Sequence, residues 1–143
     1  MKLIALDLGN RRIGLAVAHG SSGPAFPAGH LLRTKLSHDL QTVLGAALER
    51  GAEGIVVGIP YALDGSVSRQ AKLAQGFVRA LKKETALPVF QVDESFTSFE
   101  AEGLLREAGV EPSRDKGSVD EAAAVLILQR FLDQQARGSD SNT

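Results

Sequence analysis

Asp7, Glu94 and Asp120 are the residues of this 143-residue chain whose types and settings could do chemistry together. Asp7 follows the apolar run Leu3-Ile4-Ala5-Leu6, and strand alternation puts it on the same face as Leu3 and Ala5. A carboxylate buried there needs a hydrogen bond, a basic partner or a metal, because burial without one is costly. Gly9, two residues on, lets a ligand or a backbone approach closely. Asp93 and Glu94 end a second run, Val89-Phe90-Gln91-Val92, and the carboxyl ends of parallel strands are where ligands commonly bind. Alternation sends these two acids to opposite faces, so at most one readily joins Asp7. Asp120 is expected in the first turn of the last helix, where the helix dipole favours a negative side chain whatever else it does. Each acid alone has a plain structural explanation: a turn-capping Asp, a pair of solvated loop acids, and a dipole-matched acid. The chemical reading depends on all three converging.

Three converging carboxylates, without a thiolate and without spaced histidines, suit a hard cation such as Mg²⁺ or Mn²⁺ and not zinc. Two such ions about 3.5–4 Å apart can activate a water and stabilise the leaving oxygen of a phosphodiester displacement. Arg11, Arg12, Arg114 and Lys116 lie near the acids in sequence, where they could contact phosphates or could equally be inert surface bases. Other chemistries lack support. The chain has no cysteine; His19, His30 and His38 have no ligand spacing; Ser95, Ser98 and Ser118 belong to no visible triad. Neither Gly58-Ile59-Pro60 nor Leu63-Asp64-Gly65 is followed by the Gly-Lys-Ser/Thr of a Walker loop.

The elements that must position these residues can be read from periodicity. Leu3–Leu8 and Ile13–Ala18 are apolar runs joined by the turn-like Gly9-Asn10-Arg11-Arg12, which predicts a β-hairpin, and a weaker strand is expected near residues 29–34. Leu40, Val43, Leu44, Ala47 and Leu48 recur at helical spacing, with Ser37 as the expected N-cap and Gly51 just past the C-terminus. Ile55–Ile59 has no polar alternation, as expected of a strand covered on both faces. A helix after Ser66 carries Ala71, Ala74, Phe77, Val78 and Leu81 on one face and Arg69, Lys72, Arg79, Lys82 and Lys83 on the other. A strand over 88–92 follows, then capping-box patterns at Thr97-x-x-Glu100 and Ser118-x-x-Glu121, each before a helix. The order predicts one α/β domain over residues 1–136, an antiparallel hairpin continued by parallel strands, with 137–143 as a tail.

Composition sets the remaining bounds. Apolar residues at 43% and charged residues at 23% are ordinary for a globular protein, and a mean hydropathy of −0.02 fits neither a membrane protein nor a disordered one. The first apolar run is too short for a signal-peptide core, so a cytoplasmic location is expected. A net charge of −1 means that any phosphate-backbone binding must come from a local basic patch.

These residues resemble the YqgF (RuvX-like) family of RNase H-like nucleases, also described as Holliday junction resolvases or pre-16S rRNA processing nucleases. The resemblance rests on an ordered set of blocks: Ala5-Leu6-Asp7-Leu8-Gly9 with Arg12-Ile13-Gly14-Leu15-Ala16-Val17; Val57-Gly58-Ile59-Pro60 with Leu63-Asp64-Gly65-Ser66; Asp93-Glu94-Ser95-Phe96-Thr97-Ser98; and Lys116 through Ala124, leading into Ile127-Leu128-Gln129. It implies an RNase H-like, five-stranded mixed sheet flanked by helices, its first three strands antiparallel and the others parallel. It carries metal binding onto Asp7, Glu94 and Asp120 and chooses Glu94 over Asp93. The chain departs from the pattern at Ser95, where the family usually has Arg, and near Ala18-His19, where an Asp is often found.

The leading expectation is therefore a Mg²⁺- or Mn²⁺-dependent nuclease acting on structured nucleic acid, precursor ribosomal RNA or branched DNA, as a monomer or a homodimer. Asp7, Glu94 and Asp120 would be its ligands, a metal-bound water its nucleophile, and Arg12 and Lys116 its phosphate contacts. A competing expectation is an rRNA-binding assembly factor with little or no catalysis. A sugar-kinase-like phosphotransferase is a third, disfavoured because such enzymes generally need two related domains to enclose a nucleotide.

Overall fold

The computed structural model describes the chain except residues 21–22, 63, 95–96, 113–114 and 142–143, and of residues 97–99 and 138–141 it describes the backbone alone. Five strands, β1 (Leu3–Leu8), β2 (Arg12–Ala18), β3 (Phe26–Leu32), β4 (Gly54–Ile59) and β5 (Val89–Asp93), form one sheet in the order β3-β2-β1-β4-β5. The β1–β2 and β2–β3 pairs are antiparallel, and the β1–β4 and β4–β5 pairs are parallel. This is the expected mixed α/β sheet. Four helices cover it: α1 (Leu36–Glu49), α2 (Arg69–Glu84), α3 (Thr97–Glu107) and α4 (Lys116–Ser141).

The two faces of the sheet differ in side-chain size. Ile4, Leu6, Ile13, Leu15, Ile55 and Val57 pack with Val43 of α1 and Phe77, Val78 and Leu81 of α2 in the larger core. On the other face Ala5, Ala16, Ala18 and Val56 meet Ala124, Ile127 and Leu128 of α4. Two glycines complete this floor. A Cβ on Gly14 would overlap the Asp120 carbonyl group, and one on Gly58 would stand 2.5 Å from Ile127 Cδ1 and 3.0 Å from the Glu94 carboxyl carbon. Helix α4 thus lies closer to the sheet than side chains at 14 or 58 would permit. Helix α3 packs on α4. Among the described residues no helix is long and apolar enough to cross a membrane.

Several boundaries differ from the sequence expectations for identifiable reasons. Strand β3 begins at Phe26, and its irregular pairing near Gly14/Ala16, with Gly29 at φ +87°, explains the poor periodicity. Lys35, not Ser37, caps α1 and makes no side-chain cap bond. Asp39, one turn in, instead reaches back to accept from the Thr34 N–H at 2.9 Å and the Thr34 hydroxyl at 3.0 Å. Helix α2 starts at Arg69, because Ser68 accepts from the Ala71 N–H and serves as its cap. Gly51 and Gly109 take the left-handed conformation expected just past a helix end, at φ +65° and +83°. The Thr97 side chain lies outside the described residues. Asp115 caps α4 in place of Ser118, accepting from the Ser118 N–H at 3.0 Å. The backbone of α4 continues as helix to Ser141, through part of the segment read from sequence as a tail.

Candidate active site

Asp7 sits at the carboxyl end of β1, paired in register with Gly14. Its alternation with Leu3 and Ala5 points it at the α4 face, as the sequence implies. Glu94 follows the last residue of β5, and its N–H donates to the Ile59 carbonyl at 3.1 Å, which carries the β4–β5 pairing one residue further. Asp7 and Glu94 are each 7% exposed, so the two carboxyls are out of water, and they are hydrogen-bonded to each other. Burial pushes the Asp7 carboxyl up, and the hydrogen bond from Glu94 offsets part of the rise. Asp93 is exposed, as expected of the neighbour on the opposite face.

Asp120 lies in the second turn of α4, because the helix starts at Lys116. The dipole explanation that suits a first-turn acid is accordingly weaker. Its carboxyl is pushed up to about 6, first by burial and then by the negative charge of Asp7, with Arg12 and His30 opposing. Asp7 and Asp120 are therefore within electrostatic reach, and a Cβ on Gly9 would stand 3.6 Å from Asp120 Oδ1. The three acids predicted from sequence gather at one end of the sheet: two in contact, the third on the adjacent helix.

All three donors are carboxylate oxygens, the chemistry a hard divalent cation prefers. A cation would relieve the burial and mutual repulsion that push the Asp7 and Asp120 carboxyls up. Among the described residues, however, no three acids or histidines converge closely enough to form a ready metal shell. The chemistry of the set fits a cation, while its spacing is that of a pair plus a neighbour.

A cleft of about 480 Å³ opens beside Asp120. Arg11 and Arg12 of the β1–β2 turn form one wall, Lys116 and Val119 of α4 another, and Glu102 and Arg106 of α3 a third. The predicted phosphate contacts Arg12 and Lys116 therefore share one cleft with Asp120. Arg114 and Ser95 lie outside the described residues. The turn is held from behind: Arg33 Nη1 donates to the Gly9 carbonyl at 3.0 Å, and the Arg33 N–H donates to the Arg11 carbonyl at 2.8 Å.

Sequence reasoning missed three contributors. Arg106 of α3 carries no local motif. Arg130 of α4 donates from Nη1 to the Asp93 carbonyl at 3.0 Å and from Nη2 to Glu100 Oε1 at 2.8 Å, tying α4 to the segment that holds Glu94. His30 pairs with Glu121 at 3.5 Å, its ring against Gly117, where a Cβ would stand 2.5 Å from His30 Cε1. These links join residues distant in sequence, and only the fold reveals them.

The sequence model of the RuvX family, described as Holliday junction resolvase, matches residues 1–134. This chain belongs to the RuvX family. A relative from a Synechococcus species, named "Putative pre-16S rRNA nuclease", is 42% identical over 132 residues, covering 92% of this chain and 89% of that protein. One from Trichormus variabilis, with the same name, is 40% identical over 139 residues, covering 97% and 92%. Among solved structures, Thermus thermophilus RuvC in complex with a Holliday junction substrate matches with a TM-score of 0.55 at 17% identity, over 89% of this chain and 92% of that one. Fowlpox virus resolvase with Holliday junction DNA matches with a TM-score of 0.58 at 9% identity, over 94% and 99%. At such identities the likeness is one of fold, and it gives the RuvX-family chain the RNase H-like architecture of the resolvases.

Proposed function

We propose that this RuvX-family protein is a Mg²⁺- or Mn²⁺-dependent nuclease that hydrolyses phosphodiester bonds in structured nucleic acid, with precursor 16S rRNA as the first substrate to test. One observation carries the reading: the buried Asp7–Glu94 pair is linked electrostatically, through Asp7, to Asp120, which lines a cleft with Arg11, Arg12, Arg106 and Lys116. The names of the curated relatives support the RNA substrate.

Asp7 and Glu94 would hold the cation from the sheet and Asp120 from α4, closing in as repulsion between the acids is neutralised. A bound divalent cation supplies positive charge for the reacting phosphate and the means of activating a water. Arg12 and Lys116 would bind the phosphate backbone on either side of the scissile bond, and the buried setting of Asp7 and Glu94 strengthens each electrostatic contact they make.

The test is cleavage of a labelled pre-16S rRNA fragment, a single-stranded RNA and a four-way DNA junction in Mg²⁺ and Mn²⁺. Asp7→Asn is expected to keep the fold, by circular dichroism, and to lose cleavage of every substrate. Full activity in that protein refutes the assignment. A second reading, an rRNA-binding assembly factor with little or no catalysis, draws support from the missing three-ligand convergence among the described residues. Tight rRNA binding without cleavage across both metal titrations would select it.

A further inference from the structure

A second groove, of about 440 Å³, lies across the sheet from the acidic cleft, on the side covered by α1 and α2. Its floor is apolar: Leu8, Leu36, Leu73 and Phe77. Leu36 is 50% exposed and Leu73 65%, so these two present apolar surface to solvent, while Phe77 is buried beneath. Arg33 lies over the buried Phe77 ring at 5.9 Å from its centroid, which sets the guanidinium at one end of the groove. Arg33, Lys72 and Arg79 line the groove, and among the described residues no acidic side chain does.

The charge is organised along one helix. Helix α2 carries Arg69, Lys72, Arg79, Lys82 and Lys83 and a single acid, Glu84 at its end, in a chain whose net charge is −1. Among the described residues neither Lys72 nor Arg79 makes an ion pair. Gly76, one turn after Lys72, also lines the groove. Glycine inside a helix is unfavourable relative to Ala, and here a Cβ would stand 3.7 Å from Arg79 Nη2.

Asn10 lines both this groove and the acidic cleft, so the Gly9–Arg12 turn is the ridge between them. A polymer in one cleft that crosses the ridge enters the other. We propose that the α2 groove is a second nucleic-acid site, taking a single-stranded segment of the substrate whose scissile phosphate lies in the acidic cleft. This inference rests on the proposed nuclease function. Lys72 and Arg79 contact the sugar–phosphate backbone, and unpaired bases rest on Leu36, Leu73 and the Arg33 guanidinium. The ligand-sized volume admits nucleotides of a single strand and not a duplex. A second copy of this chain is the poorer occupant, since a twofold contact through α2 would set its basic residues against themselves.

Fluorescence anisotropy tests the groove with two labelled probes, an RNA hairpin bearing a single-stranded extension and the same hairpin blunt-ended. Every protein is full-length and carries Asp7→Asn to spare the probe. Added Lys72→Glu/Arg79→Glu is expected to weaken binding of the extended hairpin by about tenfold or more and to lower its salt slope by roughly 1.4, as for two lost single-strand phosphate contacts. Blunt-hairpin affinity is expected to hold within about twofold, since that probe does not need the lost contacts. Lys82→Glu/Lys83→Glu makes the same charge change on the same helix outside the groove and is expected to leave both affinities close to the parent's. No loss in the first variant, or equal loss in both, overturns the proposal. So does a loss accompanied by a dimer-to-monomer change in sedimentation. The unsubstituted chain separates the two failures: groove-dependent binding without any cleavage sinks the nuclease reading alone, and cleavage with unchanged binding in Lys72→Glu/Arg79→Glu sinks the groove alone.

Discussion

Gly14→Ala is the sharpest test of how the acids are positioned. The added methyl would overlap the Asp120 carbonyl and stand 3.0 Å from the Asp120 Cβ, while a real Cβ keeps at least about 3 Å from any non-bonded atom. The obstacle is helix backbone, which cannot rotate away as a side-chain tip does, so α4 must lift from β2 by roughly 1 Å. Overpacking of this kind costs about 1–3 kcal/mol, well below what would unfold a typical domain. The larger effect falls on chemistry, because a misplacement of about 1 Å can cost about 100-fold in rate. The expected protein is therefore folded, with an unfolding free energy in urea lower by about 1–3 kcal/mol. Its kcat is expected to fall by about 100-fold, with KM little changed and with weaker Mg²⁺ binding by calorimetry. Gly45→Ala is the matched control: nothing lies within 4 Å of its added Cβ, and the change in an exposed stretch of α1 should stabilise by about 0.4–1 kcal/mol and leave cleavage alone. A folded Gly14→Ala protein that cleaves and binds Mg²⁺ as the parent does would show that the depth of α4 does not set the site.

Three further outcomes are expected. Asp120 titrates near 6 against an ordinary 3.8, so it binds protons more readily folded than unfolded; its contribution to stability is greatest below 3.8 and falls as pH rises toward 6. Metal-free protein unfolded in urea at pH 5 and pH 7 should show this drop, Asp120→Asn should lack it, and identical pH dependence in the two proteins would contradict the assignment. Arg130→Met removes the contacts to the Asp93 carbonyl and Glu100 and should cost about 1 kcal/mol in urea unfolding and lower cleavage more than Arg130→Lys does; unchanged cleavage would show that Glu94 is held by other means. Asp39 is pushed up by burial but held below the ordinary carboxylate range by its Thr34 and Arg33 hydrogen bonds, so it stabilises the fold at neutral pH and loses that effect as pH falls through its titration. Asp39→Asn should lower stability at pH 7 by about 1–3 kcal/mol and flatten the acid limb of the stability curve, and a stability equal to the parent's would refute the role.

Much of this architecture was legible in the sequence, because burial on both faces leaves a clear mark. Ile55–Ile59 reads as a covered strand since every residue of β4 is buried, and Asp7 stands out because it is polar within such a run. Strand β3 was harder to read: it is largely exposed, its pairing is irregular, and Pro27 and Gly29 interrupt any pattern. The start of α4 was misread because Ser118-x-x-Glu121 imitates a capping box, while the actual cap, Asp115, lies three residues before Ser118. The contacts of Arg33 and Arg130 could not be read at all, since both reach backbone carbonyls more than 20 residues away, at Gly9 and Asp93. The residue types told which acids could act, and tertiary contacts determine how they are held.

Helix α4 is the last element of the chain and brings the third acid with it. During synthesis the two strand-borne carboxyls emerge long before Asp120, and the helix that carries it can seat on its alanine and glycine bed only after it has left the ribosome. On the proposed reading, a growing polypeptide would lack its third acid until that helix has emerged. The three acids can come together only once α4 has closed onto a sheet whose strands precede it in the chain.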